Sequence, residues 1–276
     1  MTHPAGRRFQ AVHPLRGLWR AEHVLQVGPA HHPLILEPVP AQAATALRHL
    51  GDPHTVEELD QLVPDLGRDW LEWLLARLQD ADLVRRWHPH RPPSIAVHGG
   101  GTLAAGLQRA LHRAGLAPLP PEQPNRLDEA DLVVIACHTC EPERWLTSQL
   151  TAAGRASLIV RAEPDRGVVG PWVDPGRTPC LRCLDLLRSE LDPRWPRLLA
   201  QLCGTRWTPD PAMVDWLVGE AVADIARWHS GRPSDLAGRT LELWLPGYQR
   251  YSSSWAQHPA CSCQASSLGR VGTLAG

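Results

Sequence analysis

Two tight cysteine pairs, Cys180-x-x-Cys183 and Cys261-x-Cys263, constrain this chain more than any other feature, because 77 residues lie between them. Two close pairs of thiolates drawn together from distant sequence make a tetrahedral zinc site, with Zn–S bonds of about 2.3 Å. Such a site fastens the C-terminal end of the chain to its body. Four thiolates fill the coordination sphere and leave no position for a water nucleophile, so the site reads as a structural Zn staple. The alternatives are reduced packing cysteines or disulfide partners. The flanks argue against them: Pro175-Gly176-Arg177-Thr178-Pro179 precedes the first pair and His258-Pro259-Ala260 the second, whereas packing cysteines sit in apolar runs. Cys137-His138-Thr139-Cys140 is a competing C-x-x-C after an apolar strand, Asp131 to Ala136. Doubly wound folds put ligand-facing loops at such places. A structural role is expected for it, and Cys203 reads as a lone buried thiol.

Composition removes several functions. A net charge of -1 over 276 residues gives no general attraction to nucleic acid or to an anionic membrane. No apolar stretch approaches ~20 residues, so no membrane span is expected, and the N-terminus lacks the apolar core of a signal peptide. Seven cysteines, an odd number in metal-like pairs, suit a reducing cytoplasm. The 28 basic residues are all arginine. No mechanism that needs a lysine can operate, which excludes Walker-type phosphate binding, Schiff-base chemistry and pyridoxal phosphate attachment.

The chain divides in texture. Residues 1 to about 22 read as poorly structured. His23 to Gly28 and Pro33 to Pro38 read as a strand pair across Gly28-Pro29-Ala30. Three helices follow: Pro40 to Leu50, a short one opened by the capping box Thr55-Val56-Glu57-Glu58, and Arg68 to Asp82 with Trp70, Leu71, Leu74, Leu75 and Leu78 on one side. Leu83 to Trp87 returns as a strand. These parts make a small winged-helix-like domain over residues 18–88. Pro89 to Pro93 reads as a stiff linker. From 94 to 263 strand and helix alternate: Ser94 to His98, Ala104 to Ala114, Leu132 to Ala136, Glu141 to Ala153, Ser157 to Arg161. That order implies a parallel sheet with crossovers. A broken helical stretch from Leu184 to Leu202, a long helix from Pro211 to Trp228 and a strand from Thr240 to Leu245 complete it, and 264–276 reads as a disordered tail.

Gly99, Gly101 and Ala104 match the dinucleotide pattern G-x-G-x-x-[GA] between a strand and a helix. A working site also needs an acidic residue about 20 residues on, at the end of a second strand. Here the helix is followed by Leu116 to Pro124, with four prolines, and Glu122 is the nearest acid. Prolines at that density preclude the strand. The motif therefore reads as a degenerate cofactor-binding loop whose glycines serve a tight turn and close helix packing.

The ordered features resemble a known family. The glycine loop, Asp131-Leu132-Val133-Val134-Ile135, Gly167-Val168-Val169-Gly170-Pro171, Pro179-Cys180-Leu181-Arg182-Cys183-Leu184 and the terminal cysteine pair look like the ThiF-type fold of ubiquitin-like-protein-activating enzymes. Pro175 to Leu186, Asp192-Pro193-Arg194-Trp195-Pro196 and His258 to Cys263 are similar to the leader-peptide-binding proteins of thiazole/oxazole-modified microcin (TOMM) clusters, which make ribosomal peptides such as bacteriocins. The resemblance implies an α/β chain: an N-terminal winged-helix-like peptide recognition element, then a degenerate ThiF-like Rossmann-type domain with a four-cysteine zinc site. The family's adenylating members carry a ribose-binding Asp, an Arg, a Gln and an essential Lys in a longer interval than Leu116 to Ala130. Here no lysine exists.

The function so implied is non-catalytic: capture of a precursor's leader peptide, and its presentation to a YcaO-type cyclodehydratase, by a cytoplasmic protein able to homodimerise. Leader contacts are expected at Leu34, Leu36, Leu71, Leu75 and Leu78. The competing expectation is a reduced adenylyltransferase activating a peptide carboxylate with ATP, with Arg109, Arg113 or Arg126 on phosphate. A transcriptional regulator is excluded by charge. From Thr55 to Asp82 eight acidic residues face two arginines, and a DNA-reading helix needs the opposite sign.

Overall fold

In a computed structural model, the chain forms two units, Met1–Arg91 and Pro92–Gly276. The structure describes residues 7–28, 33–87, 92–120, 127 and 129–263. Most of the linker expected over Pro89 to Pro93, and the tail expected over 264–276, lie outside the described residues.

The first unit begins earlier than its sequence pattern suggests. Strand β1 (Arg8–Ala11) pairs antiparallel with β5 (Val84–Trp87) and seats Phe9 in the core. The expectation of a poorly structured start is therefore corrected. The partner of β1 lies more than 70 residues away, so no local hairpin pattern announces it. A separate antiparallel sheet has the order β2 (Gly17–Ala21), β3 (Val24–Val27), β4 (Leu34–Leu36). The β3–β4 pair is the one read from the sequence. Helices α1 (Ala43–His49), α2 (Val56–Leu62) and α3 (Arg68–Asp80) follow. The Thr55 hydroxyl accepts from the Glu58 N–H, and the Glu58 carboxylate accepts from the Thr55 N–H, completing the capping box. Leu71, Leu74, Leu75 and Leu78, spaced three and four apart on α3, all face the core.

The second unit has three layers. A six-stranded sheet runs β11 (Gln249–Ser254), β10 (Arg239–Trp244), β9 (Arg166–Val173), β8 (Ala156–Ala162), β7 (Leu132–Ala136), β6 (Ile95–Gly99). In β7 every residue is buried. Leu132, Val134 and Ala136 pack on one side with α4 (Gly101–Arg113) and α8 (Pro211–His229), and Val133 and Ile135 on the other with α5 (Arg144–Ala152) and α6 (Leu181–Leu191). Burial on both faces explains why this strand reads as an unbroken apolar run. The broken helical stretch after Cys183 resolves into α6 and α7 (Trp195–Gly204).

The sheet is parallel only from β6 to β8; β8, β9, β10 and β11 are antiparallel. The three strands read from the sequence as a parallel sheet with crossovers are parallel, and the antiparallel strands extend that sheet beyond β8. Only Glu163 to Asp165 connect β8 to β9, with the Glu163 N–H donating to the Arg166 carbonyl at 2.7 Å. Three residues permit a hairpin but no crossover.

Candidate functional site

The four paired cysteines converge. Cys180 and Cys183 open α6, and the final turn of the described chain brings Cys261 and Cys263 against them, so that all four sulfurs lie within 4.8 Å of one another. The Sγ–Sγ separations are 3.6 Å for Cys180–Cys261, 3.4 Å for Cys183–Cys263 and 3.9 Å for Cys180–Cys183. A tetrahedron with metal–sulfur bonds of about 2.3 Å has edges of about 3.8 Å. The cluster thus has the dimensions of a four-thiolate metal site, and its separations are far beyond a disulfide's ~2.05 Å. Burial pushes Cys180 up to about 11 and Cys263 higher. Burial opposes ionisation at Cys183 too, but N–H groups at His258 and Cys180 hold it below its ordinary value. Buried thiols in mutual contact are an arrangement that a divalent cation relieves, because it favours the thiolates. His258 supports the second pair: its Nδ1 accepts from the Ala260 N–H at 3.1 Å, and its Nε2 lies 2.8 Å from Glu190.

At the C-terminal ends of β6 and β7 lies a crevice of about 720 Å³. Its walls include the glycine loop, His98, His138, Leu119 and the segment after α7 that carries Arg206 and Trp207. Gly99 has φ +131°, and a Cβ there would stand 2.0 Å from the Ala136 carbonyl oxygen, so strand contact alone demands glycine. Gly101, at φ +74°, faces open space and lines the crevice, whereas Ala104 is buried against the sheet. Burial, aided by His138, lowers His98 from its ordinary value. Arg109 and Arg113 lie further along α4, outside the crevice lining, and Arg126 lies outside the described residues. Among the described residues, the arginine lining this crevice is Arg206, which no motif in the sequence marks. Among the described residues no strand lies between α4 and β7.

Most of the expected peptide-contact residues occupy core positions. Leu36, Leu71, Leu75 and Leu78 are buried in the core of the first unit, and Leu34 is half-buried against it. Spacing identifies an apolar stripe but not which half of it is covered. The large apolar side chains this unit exposes are Leu18, Trp19, Ile35, Leu62 and Trp73. Leu18, Gln26 and Ile35 stand opposite one another across β2, β3 and β4, on the face away from the core. Strand β4 forms one edge of that sheet.

A buried ionic network also went unread in the sequence. The Glu141 carboxylate meets three guanidiniums: Arg144 at 2.9 Å, Arg188 at 3.1 Å and Arg161 at 3.3 Å. Arg144 also binds Asp185, Arg161 binds Glu163, and Arg166 joins Glu163 to Glu242. Four arginines thus balance four carboxylates across β8, β9, β10, α5, α6 and the loop after β7. Burial alone would push Glu141 up, but Arg161, Arg144 and Arg188 outweigh it and hold the carboxyl at about 2. The same loop carries Cys137, which burial pushes up to about 12, far from a reactive thiolate. Cys203 is half-buried, with its thiol on the Pro142 carbonyl.

No family model matches the chain, and no curated protein sequence does. Solved structures do match. The heterocyclase TruD has a TM-score of 0.63 and 16% identity, covering 92% of this chain and 42% of its own. E. coli MccB, with AMPCPP and MccA, has a TM-score of 0.56 and 10% identity, covering 93% of this chain and 99% of its own. The microcin C7 biosynthetic enzyme MccB in complex with N-formylated MccA gives 0.55 and 11% over the same shares. This chain spans less than half of the heterocyclase chain. At these identities the likeness is one of fold: the chain is built like MccB along nearly its whole length, and like part of TruD.

Proposed function

We propose that this chain is a non-catalytic leader-peptide-binding and scaffolding protein of TOMM biosynthesis, presenting a ribosomal precursor peptide to a YcaO-type cyclodehydratase. The observation that carries this reading is the fold shared with MccB, whose structures include complexes with MccA, in a chain without a single lysine. An extended peptide adding to the β4 edge would gain backbone hydrogen bonds, with specificity left to neighbouring side chains. On this reading Ile35 on that edge and Trp73 on α3 are the contacts, in place of the buried leucines. Zinc is the metal we assign to the four cysteines, where it would bind Sγ of each and supply cross-linking only. The first unit is then a winged-helix-like recognition element, the second a degenerate ThiF-like domain, and the cytoplasm the place of work.

Titrating the full chain into a labelled leader peptide should show binding that Ile35→Asp and Trp73→Ala each weaken by about tenfold, a central interface residue's usual effect. A chain lacking residues 1–90 that retained full affinity would overturn the reading.

A second reading, a reduced adenylyltransferase, is favoured by the 720 Å³ crevice at the glycine loop and by the ATP-bound MccB structure among the matches. Pyrophosphate exchange with ATP and a precursor peptide separates the two. The scaffolding reading expects no exchange above background; peptide-dependent exchange would establish the enzyme.

A further inference from the structure

The six-stranded sheet has two edges, and the chain treats them differently. At the β6 edge the Leu119 N–H donates to the Ile95 carbonyl at 2.7 Å, so a loop covers part of it. At the β11 edge nothing among the described residues does so. Edge strands are usually blunted by shortness, proline, a bulge or charge, because their free N–H and C=O groups accept a further strand. Strand β11 has six residues, no proline, a regular register and one charge, Arg250.

Register shows which groups are free. The Leu245 N–H donates to the Asp165 carbonyl and the Trp255 N–H to the Gly238 carbonyl, each at 2.7 Å and each between residues directly opposite. Bonded pairs in an antiparallel ladder recur at every second residue. Leu241 and Leu243 therefore bond to β9, while Thr240, Glu242 and Trp244 bond to Ser253, Tyr251 and Gln249. The backbone groups of Arg250, Ser252 and Ser254 are left pointing outward from the sheet.

The two faces beside this edge differ in chemistry. Tyr251 and Ser253 share a face with Glu242 and Trp244, where they line a cavity of about 610 Å³. Trp244 and Tyr251 meet edge to face at 6.2 Å, and the Glu242 carboxylate is already held by Arg166 and the Trp244 indole N–H. Tyr251 is 51% exposed, and Tyr248 at the turn, the chain's other tyrosine, is 53% exposed. On the opposite face Arg250 is exposed and, among the described residues, has no ion pair. A strand laid along β11 turns alternate side chains to these two faces. Apolar ones would meet Tyr251 and Trp244, and a carboxylate one residue along would meet Arg250.

We propose that the β11 edge binds an extended segment of another polypeptide as a seventh strand of the sheet, with apolar side chains on the Trp244–Tyr251 face and an acidic one against Arg250. Backbone pairing supplies the affinity and the two faces supply the selectivity. A second copy of the chain fits less well. In the two-fold pairing that uses all three outward residues, Ser252 meets its own counterpart and Ser253 faces Tyr251, which leaves the aromatic cavity unfilled. This site lies in the second unit, apart from the β4 edge, and does not depend on the scaffolding reading.

The test titrates the full chain into a labelled, end-blocked peptide, Thr-Val-Thr-Phe-Glu-Val-Thr, which as a strand carries its apolar residues on one face and its glutamate on the other. Wild type should bind it about tenfold more tightly than Thr-Val-Glu-Thr-Phe-Val-Thr, where phenylalanine and glutamate share a face and cross-strand pairs are lost. Ser252→Pro removes an outward N–H but no bond to β10. It should weaken binding about tenfold, because a peptide carbonyl is left unpaired, with the melting temperature unchanged. Arg250→Glu should weaken binding severalfold and regain it with the peptide that carries arginine in place of glutamate. If Ser252→Pro lowers the melting temperature, this charge exchange decides. Binding that neither variant alters would put the peptide on another edge, β4 included, and overturn the proposal while the scaffolding reading stands. A wild type that binds neither peptide would overturn it too. A wild-type dimer that takes no peptide and that Ser252→Pro turns into monomer would make the edge a self-interface, with the same result.

Discussion

Stripping metal from the purified protein with a strong chelator is expected to lower its melting temperature by more than about 10 °C. Structural four-thiolate zinc contributes apparent binding free energies of about 10–16 kcal/mol in peptides that fold only with metal. This unit has its own sheet-centred core, so only part of that appears as a stability loss. Even ~5 kcal/mol corresponds to about 10–20 °C in a unit of this size. One zinc per chain should be found by elemental analysis. Cys183→Ser should reproduce the loss, since Cys183 is fully buried at the start of α6. Cys203→Ser, away from the cluster, should change little. A protein that holds no metal, or that melts unchanged after chelation, would refute the assignment.

Glu141→Gln is expected to destabilise the second unit by roughly 3–5 kcal/mol, the usual result of removing one partner from a buried ion pair. Glutamine keeps the volume and removes the charge that three guanidiniums share. Arg161, buried itself, is left with the Glu163 carboxylate and the Cys140 carbonyl, while Arg188, which burial already pushes down, loses its carboxylate. The sign of the pH dependence follows from the carboxyl's value. It is held at about 2 against an ordinary 4.5, so its contribution is complete above pH ~4.5 and is lost as pH falls toward 2. The shift corresponds to about 3 kcal/mol. Urea melts of both proteins between pH 3 and 7 should differ most at neutral pH and converge in acid. A gap independent of pH would show that Glu141 acts through packing.

Local chemistry was legible in the sequence. Thr55-x-x-Glu58 specifies both of its own partners, and the apolar run from Leu132 to Ala136 carries its burial on both faces within five residues. The cysteine pairs were legible because two close pairs of thiols able to hold a metal stand out at any separation in sequence. Long-range pairing was not. Strand β1 depends on β5, and β11, with its run Ser252-Ser253-Ser254, has little apolar pattern and forms by pairing with β10. Helical spacing placed Leu71, Leu75 and Leu78 on one face of α3 but could not say that the core takes that face. The Glu141 network draws residues from the loop after β7 and from five separate elements. No window of sequence contains enough of it to be noticed.

The position of the cysteine cluster has a topological consequence. Between Cys183 and Cys261 the chain leaves the face that carries α6, crosses to the opposite face as α8, and returns through β10 and β11 to the cluster. A metal bound there closes those 77 residues into a belt around the edge of the sheet. A single break in the backbone anywhere along the belt would leave each fragment with one cysteine pair, so a bound metal would join the two pieces in addition to the sheet and core contacts between them.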